Sequence, residues 1–397
     1  RDYPFAISHG RGTEVWDVDG NRFLDFAAGI AVCATGHAHP QVVEAVQQAA
    51  AKFLHISSDY WHENMVALAE RLAAVAPLGE PAMSFFCQSG TEAVEGALKL
   101  ARYVTGRSRF IGFLGGFHGR TMGALSVTSD EHYRTPFGPL LAGVKWISAT
   151  DPAAVAGAIT RNTAAVIVEP IQGEGGVRPL TPAFAAALND ACRRTGTLII
   201  ADEVQTGFGR TGRAFHSTTI GLEPSLMALG KALGGGVPIG AVGGRRDVME
   251  TLSPLGTVFH AGTLAGNPLA TAAGRAALSE LTPEVYAELR RRAQRLSDVL
   301  TAAFAAAGVA ATFPVVGTLV GMFFGDALHG AAPTNFDDAK RTDEPMYARF
   351  FHAMLGEGVA LAPGAYEALF VGLGHTDAVI DAIGEAATRA ARACANA

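Results

Sequence analysis

From about residue 60 to residue 250 the chain alternates short apolar runs with longer amphipathic stretches, and no other feature constrains its fold as tightly. The runs are Met83–Cys87, Phe110–Leu114, Val144–Ile147, Ala165–Val168 and Leu198–Ala201, each of strand length. Between them stand "TEAVEGALKLARYVTG", "DPAAVAGAITRN" and "TPAFAAALNDACRRTG", whose apolar residues recur at helical spacing. Strands separated by helices of this length build βαβ units, so the expectation is an α/β fold around a mostly parallel sheet. The stretch "VPIGAVGGRRDVME" adds a further strand. Ahead of this region, "TEVWDVDGNRFLDF" predicts a hairpin in which Val15, Val18, Phe23 and Leu24 flank an Asp19-Gly20 turn. A helical pattern follows Pro40. Beyond residue 250 the periodicity predicts one long helical segment over roughly 264–307. Strands ("GTLVGMFFG"), a helix ("EPMYARFFHAMLGEG") and an Ala-rich helix from about Thr376 complete the chain. The expected division is an N-terminal segment (1–55) joining a small domain, a large domain (56–300) and a C-terminal small domain (301–397).

Composition narrows the function classes. With 49% hydrophobic and 17% charged residues among 397, the chain has the make-up of a well-packed globular protein. A net charge of -6 without a basic run speaks against nucleic acid as a partner. No apolar stretch approaches the roughly 18 residues of a membrane span. The four cysteines, Cys33, Cys87, Cys192 and Cys394, lack CxxC or metal-ligand spacing, so free thiols in a reducing cytoplasm are expected and no metal site is. His37 and His39 form a close pair in a Gly-flanked turn, where a structural role is the simpler reading. The first residues carry no signal-peptide pattern. Neither GxGxxG after a first strand nor GxxxxGK[ST] is present, which removes the common nucleotide-binding readings.

In a parallel α/β sheet ligands bind at the carboxyl ends of the strands, and the chemistry-bearing residues fall there. Ser89-Gly90-Thr91 follows the first run and opens a helix, where amide groups and the helix dipole suit a phosphate, although Ser before Glu is also an ordinary cap. "GGFHGR" follows the second: Phe117 can stack on a planar ring or simply pack, and Arg120 can hold a carboxylate or remain a solvated charge. The third end carries Glu169, Gln172 and Glu174. The fourth places Asp202 after "LIIA", where burial demands a partner such as a protonated pyridine nitrogen. In "LMALGKALGGG", Lys231 stands between an apolar run and three glycines. Apolar neighbours make an amine nucleophilic, and the glycines leave room for a bulky adduct. Lys231 lies 29 residues after Asp202, which suits one crossover between neighbouring strands. Thr263, in "HAGTLAGNPLA", opens a further helix and offers a second phosphate contact.

The motifs "SGTEAVEGALKLAR", "FHGRTMGALSVT", "VEPIQGEGG", "ADEVQTGFGRTG", "LGKALGGG" and "GTLAGNPLA" together resemble the class III (ω-amino acid) aminotransferases of pyridoxal-phosphate fold type I. The resemblance implies a large domain with a mostly parallel seven-stranded sheet flanked by helices, and a small α+β domain from both termini. It also implies roles. Lys231 would hold pyridoxal 5'-phosphate as a Schiff base and shuttle the proton, and Asp202 would keep the pyridine nitrogen protonated. Ser89, Gly90 and Thr91 would bind the phosphate, and Thr263 would reach the phosphate of the partner subunit. Phe117 would stack on the ring, with Val204 on its other face, Gln205 near the ring hydroxyl and His118 among the cofactor contacts. An amino donor and a keto acid would react in ping-pong fashion, in a homodimer or dimer of dimers with the site at its interface.

The resemblance divides along the chain. Up to about residue 230 it points to 4-aminobutyrate, acetylornithine and ornithine aminotransferases, in which Arg120 matches a substrate-carboxylate arginine. Glu174 matches a glutamate that pairs with a C-terminal arginine in those enzymes. The C-terminal third is similar to glutamate-1-semialdehyde aminomutase: "AYEALFV" stands where that arginine is expected, and Glu367 matches the aminomutase's acidic position. The first expectation is therefore an aminotransferase for an ω- or β-amino acid, and the alternative is an intramolecular aminomutase. Arg120, Glu174 and Glu367 are the expected substrate contacts.

Overall fold

Seven strands of a single sheet account for the apolar runs. The computed structural model describes residues 3–79, 81–173, 176–328 and 330–395. The strands are β1 (Ala82–Cys87), β2 (Arg109–Phe113), β3 (Val144–Ile147), β4 (Thr163–Val168), β5 (Leu198–Asp202), β6 (Leu226–Leu229) and β7 (Gly240–Arg245). They lie side by side in the order β1-β7-β6-β5-β4-β2-β3. β7 runs antiparallel to both β1 and β6, and the remaining neighbours are parallel. This is the fold-type I architecture: a mostly parallel seven-stranded sheet with crossover helices at Gly90–Thr105, Pro152–Ala158 and Pro182–Thr195.

The central strands are apolar between Thr163, which opens β4, and Asp202, which closes β5, because both faces are covered. Val166, Val168, Ile199 and Ala201 enter one core, while Ala165, Ile167 and Ile200 enter another. The strand period of two thus sorts a continuous apolar run onto two faces. It also sends polar residues out at one edge: Asp202 is the last residue of β5, and Glu169 and Lys231 follow the ends of β4 and β6.

A third core gathers both termini. Leu24 and Phe26 pack with Leu296, Phe304, Phe324, Phe350 and Ile383. Phe304 meets Phe350 and Phe324 edge-on at 4.9 and 5.4 Å, a geometry the ring quadrupole favours. Burial of each such side chain contributes about 1.5–3 kcal/mol. The expected hairpin is Glu14–Asp17 with Arg22–Asp25, and Val359–Ala360 joins it in parallel beside Leu24 and Asp25. Here lies the small α+β part.

One expectation needs correction. The helical stretch over 264–307 is two helices, Pro268–Glu280 and Pro283–Ala307. Pro283 lacks the N–H that a continuous helix requires, and the Thr282 hydroxyl accepts from the Val285 amide at 3.4 Å to start a new one.

Between the hairpin and the first long helix the backbone does something unusual. Ala28, Gly29, Ile30 and Ala31 have φ of 47°, 63°, 61° and 67°, a short left-handed turn. For residues with a Cβ this conformation costs roughly 1–2 kcal/mol each. Lys231 shares the strain, with φ of 46°.

Candidate active site

The strand ends converge through side chains far apart in sequence. After β1, the Ser89 hydroxyl caps the helix Gly90–Thr105 by accepting from the Glu92 amide at 3.3 Å, and Glu92 reaches back to accept the Gln88 amide at 2.6 Å. A phosphate at this helix start would meet backbone N–H groups and a favourable dipole. Glycine at position 90 lets Val204 approach, because a Cβ would lie 2.7 and 2.8 Å from its two methyl carbons. A Cβ on Gly230, the residue before Lys231, would stand 3.3 Å from the Gly90 nitrogen. The loop after β1, the loop after β5 and the lysine turn are therefore in close contact.

The loop after β2 is tied down at three points. The Phe117 amide donates to Glu169 Oε1 at 2.8 Å, joining the ends of β2 and β4. The His118 amide donates to Thr128 Oγ1 at 2.9 Å, and His118 Nδ1 meets Asp202 Oδ2 at 2.8 Å. The His118 and Asp202 side chains are 1% and 6% exposed, so this pair is screened from water. Asp202 Oδ1 accepts the Val204 amide at 3.1 Å. With Nδ1–H directed at the carboxylate, His118 Nε2 is buried with no hydrogen-bond partner among the described residues. The Phe117 ring meets Tyr133 edge-on at 5.8 Å, and the exposed guanidinium of Arg120 lies 5.8 Å from the Phe117 centroid and 5.1 Å from that of Tyr133.

Lys231 opens the turn after β6, and its Nζ donates to Gln205 Oε1 at 2.6 Å. β5 and β6 are parallel neighbours with Asp202 opposite Ala228, so Asp202 and Lys231 leave adjacent strands at the same edge. A Cβ at position 173 would run into the Gln205 amide, so Gly173 gives that side chain its place. Thr91 Oγ1 pairs with Thr121 Oγ1 at 2.8 Å. Thr263 is exposed, and Glu367 Oε1 accepts the Gly364 amide at 3.1 Å. Glu174 lies outside the described residues.

Side chains that the sequence left unremarked support these. Glu203, fully buried beside Asp202, accepts from the Ser217 amide and hydroxyl, each at 2.7 Å, from the His216 amide and from the Thr206 hydroxyl. Burial pushes its carboxyl up, against the pull of those donors. Glu95 Oε1 accepts from the Thr121 hydroxyl at 2.6 Å and the Gly123 amide at 2.8 Å, joining the helix Gly90–Thr105 to the loop after β2. The signal for Glu203 was visible as a second acid in "ADEV", but its partners lie up to 14 residues away and carry no motif.

This set of groups fits pyridoxal phosphate. An amine on a strained turn, a desolvated carboxylate steadied by an imidazole, and a helix start from which Cβ atoms are excluded answer to its aldehyde, ring nitrogen and phosphate.

Comparison with known proteins agrees. The family model "Aminotransferase class-III" matches residues 1–385. An acetylornithine aminotransferase of Methanopyrus kandleri is 46% identical over 295 residues, 74% of this chain and 75% of the relative. Those of Methanosarcina mazei and Archaeoglobus fulgidus are each 44% identical, over 72% and 71% of this chain and 70% and 74% of their own lengths. These relatives are aminotransferases by name, and the aminomutase alternative gains nothing from them.

Proposed function

This chain belongs to the class-III aminotransferase family, enzymes that use pyridoxal phosphate to move an amino group from a donor to a keto acid, and we propose that Lys231 holds the cofactor and that the donor is an ω-amino acid of the acetylornithine type. One observation carries the assignment of the lysine. Lys231 and the His118-supported Asp202 leave neighbouring parallel strands at the same sheet edge.

When bound, the cofactor supplies a ring that takes up the charge left when a C–H bond beside the donor nitrogen breaks. The chain does the rest. Asp202, unable to reach water and fixed by His118 and the Val204 amide, holds a proton on the ring nitrogen. Gly90 and Thr91, with Ser89 capping behind them, bind the phosphate. Phe117 and Val204 would hold the ring between them, and Gln205 orients the lysine. Nζ of Lys231 would take the proton from the donor carbon and return it to the carbon on the other side of the donor nitrogen. Arg120, its guanidinium already over two aromatic rings, receives the substrate carboxylate.

A homodimer belongs to the same proposal. Trp61, Phe259, Leu54 and Leu264 expose 84%, 81%, 66% and 48% of their surface, and Phe259 and Leu264 flank Thr263 in the chain. The Asn267 side-chain amide donates to Leu54 O at 3.1 Å, so these segments form one face that a second copy would cover. The division into 56–300 and a smaller part from 1–55 and 301–397, and a cytoplasmic location suited to four free cysteines, complete the reading. Among the described residues no helix is long and apolar enough to cross a membrane.

The test loads the protein with pyridoxal phosphate and offers N-acetylornithine, 4-aminobutyrate and glutamate 1-semialdehyde separately, following cofactor absorbance. Conversion by N-acetylornithine, reversed by 2-oxoglutarate, is the expected result. Conversion by the semialdehyde alone would sink the donor assignment.

A further inference from the structure

The left-handed turn Ala28–Ala31 is strained, yet Ile30, the β-branched residue within it, is 57% exposed. Strain of this kind persists only where the surroundings impose it, and it collects at functional sites. The turn packs against the lysine turn Lys231–Gly234, and its Ala28 and Ala31 pack on Ile171, next to the loop after β4, and on Phe370. It therefore touches the lysine turn and the loop after β4 at once.

Three charged side chains hold it there. Asp25 Oδ1 accepts the Ala27 and Ala28 amides at 2.9 and 3.2 Å, fastening the start of the turn. Its other oxygen pairs with His37 Nε2 at 2.7 Å. Arg210, 1% exposed, donates from Nε to Ala31 O and from Nη1 to Val371 O, each at 3.1 Å, fastening the end. An arginine buried so completely is expensive in solvation, and burial pushes its guanidinium down to about 10. It comes from "ADEVQTGFGR", the loop that also carries Asp202, Val204 and Gln205.

We propose that Asp25, His37 and Arg210 are positioning residues whose clamp on the left-handed turn shapes the substrate side of the lysine turn. The proposal rests on the reading of Lys231 as the reacting lysine. None of the three touches the reacting atoms; they act through the backbone of Ala27–Val32. Within the turn, the Ile30 and Ala31 amides bond to Ala27 O and the Val32 and Cys33 amides to Ala28 O, so the turn's integrity is readable from its own amides.

The test uses the cofactor-loaded enzyme with Asp25→Asn, Asp25→Ala and His37→Gln. Hydrogen exchange by mass spectrometry should show the peptide covering 27–34 exchanging at least tenfold faster in Asp25→Ala, with the peptides of β5 and β6 unchanged. KM for the amino donor should rise at least fivefold while kcat stays within twofold, the signature of lost ground-state positioning. Asp25→Asn, which keeps an acceptor for the two amides, should recover most of both effects. Unchanged exchange in 27–34, exchange rising equally across the sheet, or kcat falling at constant KM would each overturn the proposal. If the wild-type enzyme converts no amino donor, the functional reading fails, and the exchange result alone then upholds or overturns the clamp.

Discussion

Asp202 and His118 share a 2.8 Å hydrogen bond across 84 residues of sequence, in a pocket that leaves both side chains almost wholly dry. A carboxylate in such a place is tolerated because it is paired on both oxygens, by the imidazole and by the Val204 amide. If Asp202 keeps the cofactor nitrogen protonated, His118 matters through that carboxylate alone. His118→Phe should lower kcat by about 10–100-fold, the range for partners that orient a reacting group, with KM little changed. His118→Asn, which retains a donor, should recover part of the loss. A kcat within twofold of wild type in the folded His118→Phe protein would rule out this role.

The contact between Gly90 and Val204 makes a paired prediction. Gly90→Ala pushes a Cβ against two methyl groups, and overpacking of this kind costs about 1–3 kcal/mol. The dissociation constant for pyridoxal phosphate, read from absorbance, should rise about tenfold, since 1.4 kcal/mol is one decade. Val204→Ala added to it should restore most of the affinity. Equal affinity in wild type and Gly90→Ala would separate this contact from cofactor binding.

If Arg120 receives the substrate carboxylate, its loss should separate substrate classes. A charge-assisted hydrogen bond contributes roughly 1.5–3 kcal/mol, so Arg120→Ala should raise KM for amino acids about tenfold or more. Simple amines should be nearly unaffected. An equal change for both classes would assign Arg120 to packing on Phe117 and Tyr133.

Stability should fall on both sides of neutrality. The Asp25 carboxylate raises His37 from 6.5 to about 10, with Cys33 adding to the effect. Its contribution is complete below pH 6.5 and disappears as pH rises through about 10. Burial depresses His375 and His216 from 6.5 to about 4. The unfolded chain then binds protons that the folded one refuses, so stability drops as pH falls from 6.5 toward 4. Thermal midpoints across pH 4–10 should peak near neutrality, and His37→Asn should flatten the alkaline limb alone. An unchanged alkaline limb in that variant would show that the Asp25–His37 pair does not govern it.

The parts of this molecule legible in its sequence are those set by local pattern. Lys231 before Gly234-Gly235-Gly236, Asp202 after an apolar run and Ser89 before Glu92 each announce a strand end or helix start. What binds those ends together was not legible. The bonds from Phe117 to Glu169, from Asp25 to His37 and from Arg210 to Ala31 span 52, 12 and 179 residues. No periodicity encodes such pairings. The left-handed turn was hidden too, since Ala and Ile ordinarily avoid positive φ and only their surroundings hold them there. Thr282-Pro283, by contrast, is a local helix-break signal that the longer apolar periodicity masked.

The most direct measurement concerns Lys231. The protein loaded with pyridoxal phosphate, reduced with borohydride and digested, should carry the phosphopyridoxyl mass on the peptide containing Lys231, and Lys231→Ala should abolish it. A folded protein that carries the adduct on another lysine, or none at all, would contradict the account.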